Sequence, residues 1–327
     1  MPSTLTHAYF VMDGMKLFEQ NVQNFLKDST GILKITAQST DPFMFYNLLK
    51  PWKKRTIANS FASKFHTTKT GEFLTKFTEY VKANDYVYNS NIMALLYGFI
   101  SHYILDSTIH PYVYYKTGAF KSHDKTTYKY NSGHHIMEAY IDNYLVKKRE
   151  KIKPYKYKCY KLFDGIKEFN KETNEVLDVV FKEIYNYDNF SKDYIQSLKD
   201  MRFVFRYVKY DPHGSHEKIL CVIDLLKPKS VLKHRFMSYH YSPKNSEHYL
   251  NENKKKWNYA ANDKLIKNLS FEELYKEALN KYIKVIKEIN KYLYEDINID
   301  LLKTYGNLSY GTGLEWQLKK ENKYFEF

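Results

Sequence analysis

Cysteine is almost missing from this chain: 327 residues hold two, Cys159 and Cys221, far apart in sequence. They supply neither a disulfide framework nor a CxxC site, and nothing requires an oxidising compartment. Several enzyme signatures are missing as well. There is no GxSxG, no phosphate-cradling glycine loop and no HExxH, so nucleophile-elbow hydrolases, P-loop enzymes and thermolysin-like proteases are not indicated. The longest apolar run, Ile92 to Leu105, has 14 residues and is interrupted by Gly98, Ser101 and His102. It is too short to span a bilayer and reads as a buried helix, so no transmembrane segment is expected. MPSTLTHAYF at the start lacks a basic region, an apolar stretch and a small-residue cleavage site. The expected location is therefore cytoplasmic. Strand-like alternation is nearly absent, and no repeat or low-complexity segment occurs.

The charge is less informative than its size suggests. A formal +14 invites a nucleic-acid or anionic-membrane reading. The lysines, however, are spread along the chain, arginine is scarce and no block of six basic residues occurs. No specific nucleic-acid partner is expected, although a basic rim around a phosphate site fits. Most of the 33 tyrosines fall at helical spacings, which suits packing with the hydroxyl at the surface.

What is present in concentrated form is histidine with acid at fixed spacing. His102, Asp106 and His110 are each four residues apart, so on an α-helix they turn only about 40° per step and share one face. His134 and Glu138 repeat the spacing on a second helix. With 37 acids in 327 positions, twelve histidines should give one or two such pairs by accident, and the chain has four, counting His213/Glu217 and His248/Glu252. A single pair carries little; an evenly spaced triple followed by another pair carries much more. Neutral imidazole and carboxylate on facing helices are ligands suited to a Zn²⁺-type ion.

Taken in order, residues 3–27 read as one helix and His7 lies in its first turn. Asp41-Pro42 opens the next element. Residues 54–83 are helical with a break near Thr67-Thr68 and place His66 midway. Residues 90–110 form the buried metal-bearing helix, which Pro111 should end, because the residue before proline disfavours the α region. A polar loop, 116–133, leads to the second ligand helix, 134–152. Helices are expected near 156–187, 191–210 and 215–226, then a polar region to 268. Ser270 and Glu273 form a capping box for a last helix reaching about Tyr294. The fold class is all-α: a multi-helix bundle, one domain over 1–327, with a metal-site core in 1–150 and a helical extension over 151–327. His123, His213, His216, His234, His240 and His248 read as surface residues, with His213, His216 and Glu217 able to bind adventitious metal.

Five segments resemble the zinc-dependent phospholipase C family and its single-strand nuclease relatives: THAYF at 6–10, STDPF at 39–43, KFHT at 64–67, HYILDSTIHP at 102–111 and GHHIMEAYID at 133–142. A weaker echo joins Trp257 to SFEELYKEAL at 270–279. The resemblance implies two or three Zn²⁺ ions. One would take His66, His102 and Asp106. A second would take His110, His134 and Glu138, and a third His7, the bridging Asp106 and the amino terminus. It also implies that Asp41 contacts the attacking water as base or orienting group, and that a metal-activated water attacks phosphorus of a phosphodiester. A phospholipid at a membrane surface is one such substrate. Two alternatives stay open: a single-strand nuclease and a non-catalytic zinc-stabilised helical protein. The chain departs from the secreted enzymes in starting Met1-Pro2 rather than with tryptophan, and in a tighter Asp106-to-His110 spacing. His135 is one residue out of register and reads as a residue supporting a ligand or as packing. Asp142, four after Glu138, reads as an imidazole-orienting group or as part of a solvated face.

Overall fold

The computed structural model describes residues 4–48, 50, 56–121, 124–226, 234–241 and 246–326. Among these residues there are twelve α-helices and one two-stranded sheet. The helices are α1 (Thr4–Lys16), α2 (Gln20–Leu26), α3 (Thr30–Thr36), α4 (Thr56–Thr67), α5 (Thr70–Ala83), α6 (Ser90–Thr117), α7 (Gly133–Glu150), α8 (Lys171–Tyr185), α9 (Phe190–Val204), α10 (Ser215–Leu226), α11 (Phe271–Tyr294) and α12 (Leu301–Tyr305). The sheet is an antiparallel hairpin, β1 (Trp257–Tyr259) with β2 (Asn262–Lys267), whose register slips between Asn258 and Tyr259. The all-α reading holds.

The bundle is organised around α6. Its sequence is apolar on every side, which an amphipathic surface helix is not, so it is stable only when surrounded. It is long and apolar enough to cross a membrane, yet its most apolar stretch is entirely enclosed by the other elements. Asn89 caps it, accepting from the amides of Asn91 and Ile92 at 3.1 and 3.2 Å. Helix α3 lies tightly against it at Gly98, where any Cβ would come within 1.9 Å of Thr36 Oγ1. The Thr36 hydroxyl donates to the Ala94 carbonyl at 3.1 Å. Helix α11 covers another side, with the Tyr282 hydroxyl donating to the Tyr97 carbonyl at 3.0 Å. Arg149 on α7 makes a bidentate pair with Asp13 on α1, at 2.9 and 2.6 Å, tying those two helices together. Buried phenylalanines 61, 65, 73, 181 and 190 fill the space between α4, α5, α8 and α9, each contributing about 1.5–3 kcal/mol by burial.

Several element boundaries differ from those the sequence suggests. The first helix is broken at Leu17–Glu19, where the chain turns so that α2 also packs on α6. Helix α6 does not stop at Pro111 but continues to Thr117. Gly313 sits in the notch that the proline leaves, with φ +64°, where a Cβ would lie 2.5 Å from the Ser107 carbonyl oxygen and 2.8 Å from the proline ring. Tertiary packing thus overrides the local rule. The polar stretch before 268 contains the hairpin: Trp257 is buried against Tyr112, ring centroids 5.0 Å apart, and its indole donates to the Leu269 carbonyl at 3.0 Å.

Candidate metal centre

Four helical elements and one turn bring the predicted ligands together. His7 comes from the first turn of α1, Asp41 from a 3₁₀ turn over Asp41–Phe45, and His66 from the last turn of α4. His102, Asp106 and His110 project from one face of α6, and His134 and Glu138 from the start of α7. Asp106 is the hub and is completely buried. One carboxylate oxygen lies 3.1 Å from His7 Nε2; the other lies 3.1 Å from His102 Nε2 and 3.5 Å from His110 Nδ1. Glu138 Oε1 lies 2.6 Å from His134 Nε2 and 3.5 Å from His110 Nε2. Asp41 Oδ1 lies 3.2 Å from His66 Nε2.

Ligand atoms gather in two groups: His7, Asp41 and His102 form one, and His110, His134 and Glu138 the other. The second is the set implied by the resemblance. The first brings Asp41 among the ligand atoms, with His66 beside it and Asp106 between the two groups.

Neighbouring backbone fixes the tautomers. The His102 Nδ1–H donates to the Ala37 carbonyl at 2.9 Å, and the His110 Nδ1–H donates to the Tyr310 carbonyl at 3.2 Å. A carbonyl only accepts, so in both rings the proton sits on Nδ1 and the Nε2 lone pair faces inward, as a ligand requires. His7 and His102 stack at 4.1 Å.

The donor set fits divalent cations. Among the described residues, His7 Nε2, His102 Nε2, His110 Nε2, Asp41 Oδ1 and both Asp106 oxygens are buried and make no hydrogen bond. Each such group costs about 1–3 kcal/mol if nothing answers it. Aimed at a common space, this many orphaned nitrogens and oxygens need a cation. Burial works against an ionised Asp106, but His102, His110 and His7 outweigh it and hold its pKa well below the usual carboxylate value. Asp41 is lowered in the same way, with burial overcome by His102 and His66. Burial pushes the pKa of the His7, His110 and His134 imidazoles down, which favours their neutral form. His102 is also opposed by burial, yet Asp106 and Asp41 raise it.

Three contributors lie outside the expected set. Tyr310 closes the site from the C-terminal side: its ring stacks on His66 at 4.9 Å, and its amide donates to the His66 carbonyl at 2.9 Å. It is held there because Gly71 and Thr70 on α5 donate to Asn307 Oδ1 and the Leu308 carbonyl, at 2.9 and 2.7 Å. Tyr114 lies against His134 at 4.8 Å. Asp142 neither orients an imidazole nor faces solvent. It is fully buried and caps the start of α1, accepting from the amides of Leu5 and Thr6 at 3.3 and 2.8 Å, from the Thr6 hydroxyl at 2.9 Å and from the Tyr239 hydroxyl at 2.9 Å. It thereby positions His7. Linear sequence offered no signal for this contact, which spans 136 residues.

Of the remaining histidines, His213, His248 and His135 are exposed, and His123 lies outside the described residues, as do Met1 and Pro2. His216 and His234 are half-buried rather than at the surface. His240 is more enclosed still: it stacks on Tyr155 at 3.8 Å and reaches the Asp211 carbonyl at 2.7 Å. Asp211 is a buried cap for α10.

These features define a helical protein with a buried histidine–carboxylate cluster that could hold divalent cations. Residues 39–191 match the family model for zinc dependent phospholipase C. That span is just under half of the chain and contains every predicted ligand except His7. No curated protein and no solved structure matches the chain.

Proposed function

We propose that this protein hydrolyses a phosphodiester, a phospholipid being the favoured substrate, at a centre of two or three zinc ions. The observation that carries this reading is the convergence on Asp106 of three imidazoles from two helices, beside the His110–His134–Glu138 group, with His7 Nε2, His102 Nε2, His110 Nε2 and both Asp106 oxygens buried and making no hydrogen bond among the described residues. His66, His102 and Asp106 would hold one ion and His110, His134 and Glu138 a second. His7 with Asp106 offers a place for a third. Bound zinc supplies a water acidified toward neutral pH and a positive field on the phosphoryl oxygens.

The chain's own residues do the rest. Asp41 is ionised and its Oδ1 shares the space of the His7 and His102 nitrogens, so it accepts the proton of the attacking water. That carboxylate lies 3.2 Å from His66 Nε2, beside the ion that His66 would help to hold. The carbonyls of Ala37 and Tyr310 keep His102 and His110 in the ligating tautomer throughout.

The test is elemental analysis of the purified protein joined to hydrolysis assays on phosphatidylcholine, an aryl phosphodiester and single-stranded DNA, before and after chelation. Stoichiometric zinc with chelator-sensitive turnover of the lipid and the aryl diester is expected. Preference for DNA would select the nuclease alternative, and bound zinc with no turnover of any diester would leave the non-catalytic one.

A further inference from the structure

Next to the metal centre is a cavity of about 270 Å³ to which hydrolysis by itself gives no task. Met44, Phe45, Phe205, Phe236 and Met237 make its wall apolar, and Glu138 of the metal set forms part of the same wall. One cation enters it, Lys209. Lys209 ends a single π-helical turn, Phe205–Lys209, closed by the Tyr210 amide donating to the Phe205 carbonyl at 3.0 Å. Such turns recur at functional sites, because the extra residue re-aims a side chain. Here the ammonium rests on aromatic faces, 4.3 Å from the Tyr239 centroid and 5.3 Å from that of Phe205. It makes no salt bridge and no hydrogen bond among the described residues. The two carboxylates that share the cavity are committed elsewhere, Asp142 to the start of α1 and Tyr239, Glu138 to His134 and His110.

An ammonium in an apolar cavity is costly unless an anion completes it. An apolar wall that carries both a cation, Lys209, and one of the predicted metal ligands, Glu138, matches a molecule with an anionic head and an apolar tail. We propose that this cavity is a substrate subsite: it takes the apolar chain of one ester arm, and Lys209 contacts the phosphoryl anion, so long-chain diesters are preferred over short ones. The assignment rests on the reading of the centre as a phosphodiester hydrolase.

Binding tests it apart from turnover. The purified protein is titrated calorimetrically with decyl phosphate, inorganic phosphate and decanol. Decyl phosphate should bind at least about tenfold more tightly than either of the others. Lys209→Met should cost decyl phosphate about tenfold and spare decanol, while Lys209→Arg, which keeps the charge, restores binding. Met44→Trp, which narrows the cavity, should weaken decyl phosphate and leave inorganic phosphate alone. Unchanged affinity in Lys209→Met, with zinc content and helicity intact, overturns the cation contact. Equal affinity for decyl and inorganic phosphate overturns the chain subsite. In turnover, kcat/KM over a series of alkyl aryl phosphodiesters should rise about fourfold per methylene until the cavity is full. A flat series with good turnover sinks the subsite and spares the hydrolase. Lys209-dependent binding without any turnover does the reverse.

Discussion

Replacing Asp142 by alanine tests the link between the fold and the metal centre. The side chain is completely buried, and its two oxygens accept from the amides of Leu5 and Thr6, the Thr6 hydroxyl and the Tyr239 hydroxyl, at 2.8–3.3 Å. Asp142→Ala takes this acceptor from all four donors. Each buried donor so deprived costs about 1–3 kcal/mol, with the rotatable hydroxyls at the low end because they can seek other acceptors. Loss of the helix cap is by itself worth about 1 kcal/mol. The cap being the same amide contacts, two amides at about 1–3 kcal/mol each and two hydroxyls at about 1 kcal/mol each come to about 4–8 kcal/mol. Asp142→Asn keeps one carbonyl oxygen and should cost about half as much. Urea unfolding measures this as a lower midpoint at unchanged slope. Because His7 is the residue after Thr6, zinc affinity measured against a competing chelator should fall with stability, about tenfold or more, as it does when a ligand loses its support. Asp142→Ala unfolding within about 1 kcal/mol of the parent, or binding zinc as tightly, would refute the coupling.

Asp106→Asn should lose metal and activity together, by more than the 10–100-fold expected of a supporting residue, since this carboxylate touches three imidazoles; elemental analysis and turnover check it. The metal-free protein should weaken on acidification. Burial lowers the pKa of His7, His110 and His134 in the folded state, so below about pH 6.5 the unfolded chain takes up protons that the folded one refuses. His102, raised by Asp106 and Asp41 against the effect of burial, acts in the opposite direction, but it is one group against three. The lowered Asp106 and Asp41 add a second loss from about pH 4 downward. Urea midpoints from pH 7.5 to 3.5 follow both, and a midpoint that rises on acidification contradicts the assignment. Gly98→Ala, which would gain about 1 kcal/mol in an isolated helix, should instead destabilise by about 1–3 kcal/mol. Its Cβ would meet Thr36 Oγ1 at 1.9 Å and the Thr36 backbone carbon at 2.9 Å.

The sequence made one side of the centre readable and hid the other for a physical reason. His102, Asp106 and His110 are ligands on a single helix, so their relation is periodic. The same is true of His134 and Glu138. Asp41 and His66 approach from a 3₁₀ turn and from the end of another helix, and no period links them to α6. Only the resemblance brought them in. Tyr310 and Lys209 lie outside both kinds of signal, and the spacing that marks Asp142 does not show its role, because these contacts join segments separated by a hundred residues or more, or arise from a π turn that no local propensity marks. The end of α6 is not legible from Pro111 alone, because the backbone of Gly313 fills the space beside the proline and the helix runs on.

The composition of α6 also favours a metal centre over a merely polar core. From Ile92 to Val113 every residue is buried, and the only titratable groups besides tyrosine are His102, Asp106 and His110, all on one face. A helix that is otherwise free to be apolar keeps three such groups at a desolvation cost of several kcal/mol. Hydrogen bonding accounts for only part of it: the Nδ1 atoms of His102 and His110 have carbonyl partners, whereas their Nε2 atoms and both Asp106 oxygens make no hydrogen bond among the described residues. A structural network would pair both ends of each ring. Pairing only the outer end leaves each imidazole held by the protein on one side and open to a cation on the other, which is the arrangement of a metal ligand.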